Sequence, residues 1–184
     1  PTSRRWLWEN NRNFDALLEI VIEATVRFLE LQARAGADAL MLFDSWASAV
    51  PAHARDHVVS DPVGQIVNQL ARRGIRKPVI GFPKGIGEGL VRYCELSGVR
   101  AVGIDHGTDI RWAAQHLPGD VVLQGNLDPM TLIDAGKKMQ DSIAEILDVC
   151  SGRPHIFNLG HGITPETPAE HVDRLLEIIG AAGS

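Results

Sequence analysis

The feature that most constrains this chain is an alternation. Five short apolar runs, Ala39 to Phe43, Val79 to Phe82, Ala101 to Ile104, Val121 to Leu123 and His155 to Leu159, recur along it, each too short to be a helix. Runs of this length, bounded by turn residues, read as strands buried on both faces. The stretches between and after them carry apolar residues at helical spacing and predict helices over about 62–74, 87–97, 109–117, 130–150 and 168–182. Strand, loop and helix repeated in this way imply right-handed βαβ crossovers and a parallel sheet, an α/β fold.

Ahead of the first run, Phe14 to Arg34 places Phe14, Leu17, Leu18, Val21, Ile22, Thr25, Val26 and Leu29 at a spacing that predicts one apolar face on a long helix, ended near Gly36. Pro78, Gly98, Pro118-Gly119, Gly152 and Pro154 punctuate the junctions without a low-complexity linker, so residues 1–184 are expected to form a single domain or a piece of one. Ser60-Asp61-Pro62, Asp128-Pro129, Thr164-Pro165 and Thr167-Pro168 have the cap-then-proline pattern of helix starts.

With 184 residues, 45% of them hydrophobic, the chain has enough apolar material for a buried core. No apolar run approaches the roughly 20 residues of a membrane-spanning helix. The first residues include Arg4, Arg5, Glu9 and Arg12 with no apolar stretch behind them, so no secretory signal is expected and the chain reads as cytoplasmic. Cys94 and Cys150 lack the spacing of a metal or redox pair and are expected to be small buried residues. A net charge of −5 argues against nonspecific nucleic-acid binding, which needs cationic side chains to neutralise phosphates.

Two architectures fit the alternation, a doubly wound open sheet and a (β/α)8 barrel. A dinucleotide-binding open sheet should show GxGxxG after its first strand, and Gly85-Ile-Gly87-Glu-Gly89 has the wrong glycine spacing, so it reads as a loop and helix start. In a barrel the active site forms at the C-terminal strand ends. Here those ends carry Asp44-Ser45-Trp46, Lys84, Asp105-His106, Gln124-Gly125-Asn126-Leu127-Asp128 and Asn158-Leu159-Gly160-His161. All five are polar or charged. Asp44 and Asp105 fit a turn or helix cap somewhat better than a site, and Asp128-Pro129 fits a cap best. His161, between two glycines, is placed for contact with a ligand. Ser45 lies outside any GxSxG elbow, which disfavours a serine hydrolase. His53 and His57, four apart, could share a helical face but lack a third ligand nearby, so no metal is expected there.

Taken together the strand ends resemble the uroporphyrinogen decarboxylase family. Ala35-Gly-Ala-Asp-Ala-Leu-Met-Leu-Phe-Asp-Ser-Trp-Ala47, Val122-Leu-Gln-Gly-Asn-Leu-Asp-Pro129 and His155-Ile-Phe-Asn-Leu-Gly-His-Gly-Ile163 are similar to that family's AGAD..QLFDSWAG, LQGNLDP and HIFNLGHGI segments, in the same order. The resemblance implies a TIM barrel of which this chain holds about the last five strands with their helices. The family's early RQAGR segment, a substrate-binding Asp and a Tyr have no match here. The related methylcobamide methyltransferases bind zinc through an HxC pair at a strand end, where this chain reads Val79-Ile-Gly-Phe-Pro-Lys-Gly85.

The resemblance also implies a reaction. The family removes four acetate carboxyls from uroporphyrinogen III to give coproporphyrinogen III in heme biosynthesis, using no metal or organic cofactor, and the usual assembly is a homodimer when full length. Protonating a pyrrole carbon makes the ring an electron sink, the acetate C–C bond breaks to release carbon dioxide, and the remaining methylene is reprotonated. Among the residues here His161 matches the family's substrate-contacting histidine, which makes it the expected catalytic residue, a donor to a propionate or acetate and a candidate for proton transfer, and Ser45 matches a serine that bonds a substrate carboxylate. Asp44, Gln124 and Asn126 are expected as supports that fix the loops. A zinc-dependent methyltransferase relative and a noncatalytic half-barrel are the alternatives.

Overall fold

The short apolar runs do form strands and the periodic stretches helices. The structure, a computed structural model, describes residues 2–9 and 11–182. It divides into two compact units, residues 1–101 and 102–184.

The first unit opens with α1 (Thr2–Glu9) and the long helix α2 (Asn11–Arg34). Ile22, Val26, Leu29 and Ala33 of α2 are buried, the three- and four-residue steps of one helical face. Leu17, Ile20, Val21, Phe28 and Leu31 are exposed. The single apolar face expected from sequence is therefore two faces, and Leu17 and Val21 belong to the uncovered one. Just past α3 (Asp61–Arg72), Arg73 donates to Glu23 at 2.7 Å and to Glu30 at 3.2 Å, tying α2 to α3. Bonds from Arg27 and Arg73 hold the Glu23 carboxyl below its ordinary range, and bonds from Arg34 and Arg73 do the same for Glu30.

Strand β1 (Leu40–Asp44) pairs in parallel with β2 (Val79–Pro83), Leu40 opposite Val79 and Asp44 opposite Pro83. Between them the chain takes two 3₁₀ turns, Ala47–Ala49 and Ala52–Ala54, then a π-helical turn, Asp56–Ser60, that runs straight into α3. Ser60 is thus no helix cap: its backbone is already helical and its side chain makes no cap bond, because the π turn supplies the carbonyls that a cap would otherwise replace. Gly85 to Glu88 is the loop before α4 (Gly89–Ser97), as the glycine spacing suggested. Tyr93, Leu40, Leu70 and Leu90 are among the largest fully buried side chains of this unit.

Strand β3 (Ala101–Gly103) lies at the division, and Ile104, just beyond it, donates its N–H to Gln124 O of β4 (Val122–Leu127) at 2.7 Å. Strand β5 (His155–Leu159) pairs in parallel with β4, Leu123 opposite His155 and Leu127 opposite Leu159. Helix α5 (Ile110–His116) starts at Asp109, whose carboxylate accepts from the Arg111 N–H at 2.7 Å, a conventional N-cap. The helix expected over 130–150 is two: α6 (Thr131–Asp134) and α7 (Lys137–Cys150). Ala135 closes α6 in the left-handed region (φ 49°) and Gly136 is extended, which lets Leu132, Ala135 and Met139 all be fully buried. Helix α8 (Ala169–Ala182) follows the Thr164 to Pro168 turn as expected. Arg153 braces the entry to β5, donating to the carbonyls of Ala114, Pro118 and Val121 at 2.8 to 2.9 Å. No helix among the described residues is long and apolar enough to cross a membrane.

Candidate functional site

Each polar strand end is built from its backbone outward. In the first unit Asp44 is the last residue of β1, and its Oδ1 accepts from the Trp46 N–H at 3.2 Å, folding the chain back into a tight turn. The turn leaves Ser45 and Trp46 exposed, Trp46 at 80%. Burial pushes the Asp44 carboxyl above its ordinary range, against the opposing pull of the Trp46 and Ala47 N–H groups. The Lys84 N–H donates to Asp44 O at 3.0 Å and Ser48 N–H to Lys84 O at 3.2 Å, so the segment after β2 is laced to the turn after β1. A cavity of about 530 Å³ in this unit is lined by Arg55, Asp56, Ser60, Glu88 and Arg92 among others, and by neither Asp44 nor Ser45.

In the second unit Gln124 and Asn126 lie within β4 and not in a loop beyond it, a correction to the sequence reading, which ended the strand at Leu123. Both are buried. A buried amide must be bonded, and Asn126 Nδ2 donates to Asp105 O at 3.2 Å and to Thr108 O at 2.7 Å. Asp105, also buried, accepts from the Gly107 N–H at 2.9 Å and the Thr108 hydroxyl at 3.2 Å. The turn 105–108 is therefore fixed by its own aspartate from within and by Asn126 from the next strand. Asp128 accepts from the Met130 N–H at 3.0 Å, a turn cap as read.

Gly160, which follows β5, donates its N–H to Leu127 O at 2.8 Å. A methyl group on its Cα would overlap the backbone nitrogen and Cα of His106, so only glycine lets the two loops approach this closely. Gly125 serves a similar approach: it has φ +137°, and a side chain there would lie 2.5 Å from Ile104 O. His161 follows Gly160 directly and is exposed. Of the residues singled out in sequence, Asp44 and Ser45 stand in the first unit, and Gln124, Asn126 and His161 in the second.

His53 and His57 do not share a helical face. His53 stacks on Trp8 at 5.3 Å between centroids, and His57 Nε2 meets Asp15 Oδ1 at 2.8 Å. The 3₁₀ and π turns break the regular helix that their spacing assumed. Among the described residues no group of three or more His, Cys, Asp or Glu could hold a metal ion. Cys94 and Cys150 are buried and not joined in a disulfide.

Three contributors escaped the sequence reading: Thr108, Arg153 and His155. His155 Nε2 donates to Gly125 O at 2.8 Å across the β4–β5 seam. Burial lowers its pKa from the ordinary 6.5, the bond to Gly125 opposes this, and the nearby Arg153 charge adds to the lowering. Arg153 and His155 act through carbonyls distant in sequence, and the Thr108 carbonyl accepts from Asn126 of the next strand, contacts that periodicity does not register.

The whole described fold has known relatives. A methyltransferase from Methanosarcina mazei superposes with a TM-score of 0.84 over 99% of this chain and 53% of its own, at 18% identity, a likeness of fold alone. The fold is α/β, five parallel strands alternating with helices, the order of part of a (β/α)8 barrel. The family model described as uroporphyrinogen decarboxylase (URO-D) matches residues 1–181. Curated uroporphyrinogen decarboxylases from Hyphomonas neptunium, Granulibacter bethesdensis and Rhodospirillum rubrum are 45%, 43% and 38% identical, covering 96 to 97% of this chain. The chain spans about half the length of these relatives, 51 to 52%. On sequence and fold together, the chain belongs to the uroporphyrinogen decarboxylase family.

Proposed function

We propose that this chain supplies the C-terminal part of a uroporphyrinogen decarboxylase active site, acting on the acetate side chains of uroporphyrinogen III to yield coproporphyrinogen III. The observation that carries the reading is the second unit's strand-end cluster. Asn126 and Asp105 fix one turn, Gly160 rests against it, and His161 is left exposed on the adjoining loop. His161 donates a hydrogen bond to an acetate or propionate of the substrate. Ser45, held at a turn by Asp44, bonds another carboxylate. Gln124 and Asn126 support these loops from within β4. The proton donor to the pyrrole carbon and the group that holds the pyrrole N–H atoms have no counterpart in these 184 residues, so the residues here bind and orient. The electron pair of the breaking C–C bond stays behind as carbon dioxide leaves, flows into the protonated ring, and the exocyclic methylene is then reprotonated to the methyl group. The whole enzyme is a cytoplasmic homodimer whose barrel is a single domain, and it requires neither a metal nor an organic cofactor.

The test is a chimera in which this chain replaces the matching half of the Hyphomonas neptunium relative. The chimera is expected to convert uroporphyrinogen III to coproporphyrinogen III, and the 184 residues alone are not. His161→Ala in the chimera is expected to lower turnover, and Ser45→Ala to weaken binding by about 1 kcal/mol, the net worth of one hydrogen bond. A folded wild-type chimera without product removes the reading.

A further inference from the structure

We infer that His106 is a second carboxylate-contacting histidine, paired with His161 across the β3 and β5 strand ends. The inference rests on the reading just given and deepens it, since it assigns a substrate contact at the same site. Gly160 N–H bonds Leu127 O, and the Gly160 Cα lies so close to His106 that an added methyl would fall 2.7 Å from the His106 Cβ. His161 is the next residue along the chain, and consecutive Cα atoms are about 3.8 Å apart. The two histidines therefore spring from touching segments of backbone, and both side chains are exposed.

The surrounding charges make the pairing specific. The strand-end loops of this unit, residues 105–109, 128–130 and 160–168, contain no Lys or Arg. Asp105, Asp109 and Asp128 each spend a carboxylate oxygen on a backbone N–H of their own turn. Those aspartates build the loops and offer a ligand no positive charge. Within residues 105–109, 128–130 and 160–168, which also carry the exposed Glu166, His106 and His161 are the only imidazoles that a substrate bearing eight carboxylates would meet. The turn that carries His106 is also the most heavily fixed of the three, with Asn126 donating to Asp105 O and Thr108 O. Such fixing holds a contact residue in place without loss of conformational freedom when the ligand arrives.

The experiment uses the chimera. His106→Ala is expected to raise KM for uroporphyrinogen III about tenfold, the scale of a hydrogen bond to a charged group. It should leave kcat within about twofold. His106→Asn, which keeps a donor of similar reach, is expected to recover most of that loss. An unchanged KM in His106→Ala overturns the inference, as does a fall in kcat alone or an Asn variant no better than Ala. Inactivity of the folded wild-type chimera overturns instead the decarboxylase reading on which the inference stands.

Discussion

At the scale of single residues, the second unit depends on one amide. Asn126 is buried in β4, and its Nδ2 is a donor to two carbonyls in the turn after β3. Asn126→Ala would leave Asp105 O and Thr108 O without that partner, at a cost of about 1–3 kcal/mol, and urea unfolding of the variant should show it. A midpoint unmoved by the substitution would mean that water replaces the amide without penalty. The segment LQGNLDP identified Asn126 as a residue of interest. What it could not convey is that the residue sits inside the strand, because Gln124, Gly125 and Asn126 are polar or flexible types that ordinarily end an apolar run. Asp44 was read as either a cap or a site residue, and its bond to the Trp46 N–H shows the turn role at once.

At the scale of elements, the seam between β4 and β5 carries a pH dependence. His155 is neutral where it donates to Gly125 O, and burial holds its folded pKa below 6.5. A group with a depressed folded pKa contributes stability that is present above its unfolded value and is lost as pH falls through the folded one. The urea midpoint should therefore drop as pH falls from about 7.5 to below 6, and His155→Gln, which keeps an amide donor but cannot titrate, should flatten that drop. Equal pH slopes for the two proteins would exclude His155 as the source. The five strands and most helices were legible because burial on both faces leaves uninterrupted apolar runs. Two elements were not. The division of α2 into a buried and an uncovered face is invisible in a helix apolar on both, and the break between α6 and α7 turns on one left-handed alanine, a conformation that alanine rarely signals.

At the scale of the molecule, the alternation of strand and helix sufficed to choose the α/β class. The choice of barrel over open sheet came from the resemblance, since periodicity is the same in both. Half the relatives' length lies outside these residues, so the fold here is read against 51 to 52% of theirs. Within the second unit, β4 is buried along almost its whole length, with Leu123, Gln124, Asn126 and Leu127 each under 9% exposed, whereas no residue of its partner β5 is fully buried. The Ile104 N–H bonds it on one side and β5 pairs with it on the other. That enclosure sets an order in time. Amide protons of β4 can reach solvent only when this unit opens as a whole, whereas those of the exposed turn 161–163 exchange from the native state. In heavy water the β4 peptides should thus be the last of the unit to gain mass, and early deuteration of Gln124 to Leu127 would show that the strand separates from its neighbours before the unit unfolds.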